Sequence, residues 1–298
     1  MRLSTATGML YRDNRWEHNE DMVRVMAQAG FRVLDWSATE FSNQKTVRGS
    51  NPFTTQEWQP WVEELRATAD RHGVVFNQAH GAIYDYFAQD EQVRWLYKMT
   101  ERIMQACAIL GIDTIVYHPY EPGEARTLQN IDLCRRANTE YIRRAGDMAG
   151  RYGLKIAVEN MLSNRKLDGS LYWRYCTHVE ELVDLVDTIN MENVQICLDV
   201  GHAHYMGENL RETINAIGKR LIALHVHDNN RMDDLHLNPY CGTITWDDVL
   251  LGLHDVDYRG DFTLEPQKLR TPEALYPVLT HALYEVGTSL VDRYEALA

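Results

Sequence analysis

The chain has 298 residues, 45% hydrophobic and 24% charged, with 30 basic against 43 acidic side chains and a formal net charge of −13. Such proportions belong to an ordinary globular protein and exclude disordered, collagenous and coiled-coil chains, and no apolar run approaches the roughly 18 residues of a membrane span. The acidic balance repels a phosphate backbone, so nucleic acid is disfavoured as a partner unless a local basic patch compensates.

In chain order, short apolar runs alternate with longer amphipathic ones. Leu3–Gly8, Phe31–Ser37, Val74–Gly81, Thr114–Pro119, Lys155–Asn160, Val194–Gly201, Leu221–Asp228 and Asp261–Pro266 predict strands. Between them, Trp58, Val62, Leu65 and Ala69 form the stripe of an amphipathic helix. A second stripe runs through Val179, Leu182, Val183, Leu185 and Val186; Thr177 with Glu180 reads as the capping box that opens it. Gly30, Gly73, Gly111 and Gly153 each stand shortly before a strand, where a helix C-cap wants a positive φ.

Eight strand–helix units in strict alternation predict a parallel sheet, and eight strands close a barrel. Residues 1–298 therefore read as a single α/β domain, a (β/α)8 barrel. The rival is a doubly wound open sheet, disfavoured because no Gly-x-Gly-x-x-Gly follows the first strand. Met1–Ala6 lacks the apolar stretch of a secretory signal. The five cysteines are scattered without a Cys-x-x-Cys pair, as reduced thiols are. A cytoplasmic protein is expected.

In a barrel, chemistry gathers at the C-terminal ends of the strands. There the sequence offers His80, His118, Glu159, Asp199 with His202, His225 with His227, and Glu265; the loop after the seventh strand adds Arg231, Asp233, Asp234 and His236. Carboxylates crowded into one mouth cost several kcal/mol each unless neutralised, and a divalent cation is the simplest neutraliser. Glu, Asp, His and Glu from four strands can surround one ion. A shell of oxygen and nitrogen without thiolate suits Mn2+, Mg2+, Co2+ or Zn2+ and does not choose among them. Asp199 and His202 are separated by a turn that Gly201 permits, so Asp199 reaches the cation while His202 lies at the rim. His225 and His227 share a strand face; His225 is expected to be the ligand and His227 its neighbour's orienting partner.

Aromatic platforms for a substrate at the mouth are expected from Trp36, Tyr84, Tyr86, Phe87, Tyr117 and Tyr120, with Trp36 and Tyr84 favoured. Arg165, Lys166, Arg231 and Lys268 could meet a phosphate, but none lies in a glycine-rich cradle, so an unphosphorylated substrate fits as well.

The segments His80-Gly81, Tyr117-His118-Pro119, Val158-Glu159-Asn160, Leu198-Asp199-Val200-Gly201-His202, His225-Val226-His227-Asp228 and Leu264-Glu265-Pro266 resemble the xylose-isomerase-like TIM-barrel superfamily, in its sugar phosphate isomerase/epimerase branch. Similarity to the ketose 3-epimerases of that superfamily implies one metal, Mn2+ first, held by Glu159, Asp199, His225 and Glu265. It also implies Glu159 and Glu265 as the proton-transferring pair, and His202 and Arg231 as substrate contacts. Similarity to endonuclease IV of the same superfamily implies further metal ligands at His80, His118, His202, Asp234 and His236. Met161-Leu162-Ser163-Asn164-Arg165 and Asp199-Val200-Gly201-His202 depart from the nuclease pattern.

The expected activity is divalent-metal-dependent isomerisation or epimerisation of a sugar or keto-sugar through an enediolate, one glutamate removing a proton and the other returning it. Alternatives are a metal-dependent lyase or dehydratase acting on a keto-sugar or inosose, and an endonuclease IV-like phosphodiesterase at abasic DNA. A scaffold without catalysis is a third, with Leu283–Leu297 docking a neighbour in a homo-oligomer.

Overall fold

A computed structural model describes residues 1–10, 19–38, 55–81, 91–122, 129–163, 170 and 172–297; the side chains of residues 91–96 stand outside that description. All eight predicted strands form: β1 (Leu3–Ala6), β2 (Val33–Trp36), β3 (Val75–His80), β4 (Thr114–Tyr117), β5 (Lys155–Glu159), β6 (Val194–Asp199), β7 (Leu221–His225) and β8 (Phe262–Leu264). Each is shorter than its apolar run, because the ladder stops where the chain turns away to make the mouth. The sheet order is β7-β6-β5-β4-β3-β2-β1-β8, every pairing parallel. Val226 closes the seam between β7 and β8. Its N–H donates to Thr263 O at 2.9 Å and its carbonyl accepts from Glu265 N at 2.9 Å. The protein is thus a (β/α)8 barrel, eight parallel strands nearly closed on themselves.

The helices wrap this sheet: α1 (Asn19–Ala29), α2 (Trp58–His72), α3 (Glu91–Leu110), α4 (Ile131–Gly150), α5 (Val179–Ile189), α6 (Val200–Tyr205), α7 (Leu210–Ile217), α8 (Trp246–Asp255) and α9 (Tyr276–Glu295). None of the described helices is long and apolar enough to cross a membrane. The expected left-handed glycines are present: φ is +121° at Gly30, +64° at Gly73, +77° at Gly111 and +71° at Gly153. The capping box at Thr177 does not form. α5 is capped at His178, so its third position is Glu181, whose carboxylate accepts from Cys176 N at 2.8 Å. The five cysteines are free thiols. In the C-terminal segment Leu283, Leu290 and Tyr294 are buried against the barrel, while Leu297 is exposed.

Two cores result. The larger lies between sheet and helices and takes in Leu34, Trp36, Ile115, Tyr117, Ile156, Val158, Ile196, Leu198 and Leu224. The smaller fills the barrel with Val116, Ala157, Cys197 and Ala223. Strand side chains alternate faces. Two residues beyond those four interior positions stand His118, Glu159, Asp199 and His225. Buried polar groups in the barrel satisfy one another: Ser4 Oγ donates to Asn77 Oδ1 at 3.1 Å, and Asn77 Nδ2 to Thr263 Oγ1 at 3.2 Å. The same period that packs small residues below therefore delivers ionisable ones to the mouth.

Candidate metal centre

Asp199 sits where β6 becomes α6. Its Oδ1 accepts from His202 N at 2.7 Å, the N-cap bond of α6. Asn160, at the end of β5, clamps the same residue by its backbone: Oδ1 accepts from Asp199 N at 2.7 Å and Nδ2 donates to Asp199 O at 2.9 Å. Asn160 O also accepts from His202 Nδ1 at 2.9 Å, which leaves His202 Nε2 turned toward Asp234 Oδ2 at 3.7 Å. Register places Asp199 directly opposite His225.

Glu159, Asp199, His225 and Glu265 come together. Each offers one ligand atom, and these atoms lie within 4.8 Å of one another. Donors held at about 2.0–2.2 Å from one ion stand roughly 3 to 4.4 Å apart, so the quartet has the span of a coordination shell. His225 Nδ1 lies 3.0 Å from Glu159 Oε1 and 3.7 Å from Glu265 Oε2. His80 bridges the two glutamates, with Nε2 at 3.8 Å from Glu159 Oε2 and Nδ1 at 3.7 Å from Glu265 Oε1. Its Nε2 is 2.8 Å from His118 Nε2.

Two further groups share the mouth. His80, Glu159 and His225 form one; His202, His227, Asp234 and His236 form the other, again with ligand atoms within 4.8 Å. His236 Nε2 is 3.2 Å from Asp234 Oδ2 and its Nδ1 donates to Glu265 O at 2.9 Å. His227 stacks on His236 with ring centroids 3.9 Å apart. The loop carrying these residues bends through non-glycine left-handed positions at Arg231, His236 and Tyr240. Such strain gathers at functional sites.

The electrostatics are those of buried carboxylates and imidazoles packed against one another. Burial opposes ionisation of Glu159, but the His225 and His118 imidazoles outweigh it and hold the carboxyl well below the usual carboxylate range. Burial raises Glu265, ahead of the opposing pull of His225 and His236. Burial resists protonation of His202, yet Asp199 and Asp234 carry it up to about 9; His236, buried too, is carried up to about 10 by Asp234 and Glu265. Burial and the neighbouring His118 push His80 well down. Among the described residues, five buried atoms around the mouth have no hydrogen-bond partner: Glu159 Oε2, Asp35 Oδ1, His225 Nε2, His227 Nδ1 and Asp234 Oδ1. A buried orphan of this kind costs about 1–3 kcal/mol. Orphaned oxygens and imidazole nitrogens converging without thiolate fit a divalent cation.

The remaining expected residues are distributed as follows. Arg231 is exposed, with Nε 3.4 Å from His204 Nδ1. Trp36 is fully buried in the helix–sheet core, and Tyr117 is 1% exposed there. Neither ring offers a face to a sugar. The reason is parity: Asp35 takes the inward position on β2, so its neighbour faces the helices. Tyr84, Tyr86, Phe87, Arg165 and Lys166 lie outside the described residues. Sequence reasoning passed over Asp35 and Asn160 as site residues and underrated His227. Asp35 is 1% exposed, with Oδ2 3.5 Å from His225 Nε2, and His227 Nε2 lies 3.1 Å from Asp199 Oδ1.

The chain matches the family of xylose isomerase-like TIM barrels over residues 23–281. It is 31% identical over 149 residues to an uncharacterised protein of Methanocaldococcus jannaschii, a stretch covering 49% of this chain and 48% of that relative. It is 24% identical to the inosose isomerase of Bacillus subtilis over 64% of this chain and 66% of the relative. To the D-psicose 3-epimerase of Agrobacterium fabrum it is 23% identical, over 84% of this chain and 82% of the relative. Among solved structures, a D-tagatose 3-epimerase-like protein superposes with a TM-score of 0.73 at 22% identity, each chain covered completely.

Proposed function

The chain belongs to the xylose isomerase-like TIM barrel family, and from that membership we propose that it is a divalent-metal-dependent sugar isomerase or epimerase. The observation that carries the proposal is the convergence of Glu159, Asp199, His225 and Glu265, ligand atoms within 4.8 Å, from four separate strands. The relatives named inosose isomerase and D-psicose 3-epimerase support the substrate class.

A divalent cation held by these four residues, Mn2+ first and Zn2+, Mg2+ or Co2+ as alternatives, would supply Lewis-acid stabilisation of charge developing on a substrate carbonyl oxygen. The chain's own residues do the rest. Glu159 and Glu265 are the acid–base pair: one removes the proton from the carbon beside the carbonyl and the other returns a proton to the same or a neighbouring carbon. In the metal-free protein their environments differ: His225 and His118 hold Glu159 toward the ionised form, while burial raises Glu265. His80 lies between them, within 3.8 Å of each. His202 and Arg231 contact substrate hydroxyls. The substrate is a small sugar or keto-sugar, and the five free thiols suit a cytoplasmic setting.

Elemental analysis of the purified protein, followed by a screen of ketoses, 3-keto sugars and inososes, tests the proposal. Bound divalent metal with interconversion of one such sugar is the expected result. Absence of any stoichiometric divalent ion, even after reconstitution, overturns it. The B. subtilis relative is named an inosose isomerase, so an inosose belongs in the screen; the dehydratase alternative would show itself there by the loss of water from the product.

A further inference from the structure

We propose that Asp35 is a positioning residue that holds His225 from behind, so that the ring presents Nδ1 to the cation. The inference rests on the metal-centre reading above and adds to it a residue outside the ligand quartet.

His225 is fully buried, and its two nitrogens face opposite partners. Nδ1 looks toward Glu159 Oε1 at 3.0 Å and Glu265 Oε2 at 3.7 Å, where a cation would lie. Nε2 looks away from that position, toward Asp35 Oδ2 at 3.5 Å. An imidazole that gives the Nδ1 lone pair to a cation carries its proton on Nε2, and in a dry interior that N–H needs an acceptor. Among the described residues, Asp35 is the carboxylate that faces it. The contact is longer than a hydrogen bond, and His225 Nε2 and Asp35 Oδ1 both stand without a hydrogen-bond partner. The pair is therefore placed for a hydrogen bond that an Nε2–H would complete. Beside Asp35 the β2–β3 register shifts, Leu34 pairing with Phe76 and Asp35 with Gln78, so that Asn77 of β3 is the extra residue; irregularities of this kind re-aim neighbouring side chains. A carboxylate buried in a barrel, with no other salt bridge among the described residues, has no packing reason to be there.

The test is a Mn2+ titration by calorimetry on wild type, Asp35→Ala and Asp35→Asn, with metal-free melting curves alongside. Partners that orient metal-bound histidines change affinity by about 10–100-fold when removed. We expect D35A to weaken Mn2+ binding by that factor while the metal-free Tm does not fall in parallel. D35N keeps the shape and an amide oxygen that can accept from Nε2–H, so it should recover part of the loss. A second readout is the ring 15N spectrum of the Mg2+-loaded protein, where His225 should carry its proton on Nε2 in wild type. Wild-type Mn2+ affinity in both variants, or a protonated Nδ1 in the loaded wild type, overturns the inference and leaves the metal centre standing. If wild type itself takes up no Mn2+, the metal-centre reading falls and this one with it.

Discussion

His118 Nε2 stands 2.9 Å from Glu159 Oε2, a contact that does not meet hydrogen-bond geometry. The other carboxyl oxygen of Glu159 meets His225 Nδ1 at 3.0 Å. One carboxyl group thus belongs to two groups of donors, one with His80 and His225, the other with Asp199, His225 and Glu265. No other residue of the quartet except His225 is shared in this way.

That sharing ranks the two glutamates. Glu159→Gln and Glu265→Gln should both leave the barrel folded, since Gln keeps the shape, and both should abolish measurable turnover. The loss of a positioned acid or base is worth about 10²–10⁴ in rate. Metal content should fall further in E159Q than in E265Q, because Glu159 is 1% exposed at the centre of both groups whereas Glu265 has 19% side-chain exposure. Steady-state kinetics and elemental analysis on the two variants check this. Wild-type turnover in either removes the paired-glutamate mechanism.

The packing of α6 against β7 gives a second test. A Cβ built on Gly201 runs into the ring of His227. His227 Nε2 touches Asp199 at 3.1 Å, so the ring cannot retreat without releasing a quartet residue. Asn229 Nδ2 also donates to Gly201 O at 2.8 Å, which pins the helix start from the other side. Gly201→Ala should therefore destabilise by about 1–3 kcal/mol, the usual cost of overpacking, and reduce metal affinity along with it. Denaturant melts and Mn2+ titration read both effects. A variant with unchanged stability would mean that the α6 backbone yields freely, and the lock would not exist.

These two tests also show how much the sequence carried and where it ran out. The strands were legible because each is a short apolar run between helical stripes, and the quartet because ionisable types at strand ends have few other reasons to be there. What periodicity could not supply was parity. Asp35 and Trp36 are adjacent, both at the end of β2, and the bulky aromatic looks the better sugar contact. Only the register reveals that Asp35 points into the barrel and Trp36 out of it. His227 shares a nominal face with His225, but β7 ends at His225, and the chain beyond it turns across the seam through Val226. His227 consequently reaches Asp199 and His236. Asn160 reads as an ordinary polar residue until its side chain is seen to satisfy both backbone groups of Asp199.

The resemblance of the mouth residues to endonuclease IV raises the question of DNA. The mouth holds further imidazole and carboxylate groups beyond the quartet, at His80, His118, His202, Asp234 and His236. Affinity for duplex DNA comes mainly from neutralising phosphates, and the chain carries a net charge of −13. Zinc-loaded protein is expected to leave an abasic duplex intact at moderate salt. Strand scission that depends on Glu159 would reverse the assignment of substrate class.

Finally, the imidazoles impose a pH dependence whose sign can be worked out. His202 in the folded, metal-free protein is carried up to about 9 and His236 up to about 10, against an ordinary histidine value near 6.5. A raised folded-state value means that the stabilising protons are fully in place below about pH 6.5. They are lost as pH rises through about 9 for His202 and about 10 for His236. At about 1.4 kcal/mol per pKa unit, the loss is on the order of a few kcal/mol for each residue. Metal-free protein should therefore melt at progressively lower temperature from pH 7 to pH 10. A cation taken up by His202, Asp234 and His236 replaces those protons, so Zn2+ should stabilise more strongly as pH rises, and its binding at pH 7.5 should release protons into the buffer. Melting curves across this range with and without Zn2+, and calorimetry in two buffers of different ionisation enthalpy, measure both. His202→Gln should flatten the metal-free curve between pH 7 and 9. A wild-type curve already flat there, or one that His202→Gln leaves unchanged, would show that Asp199 and Asp234 do not hold a proton on His202.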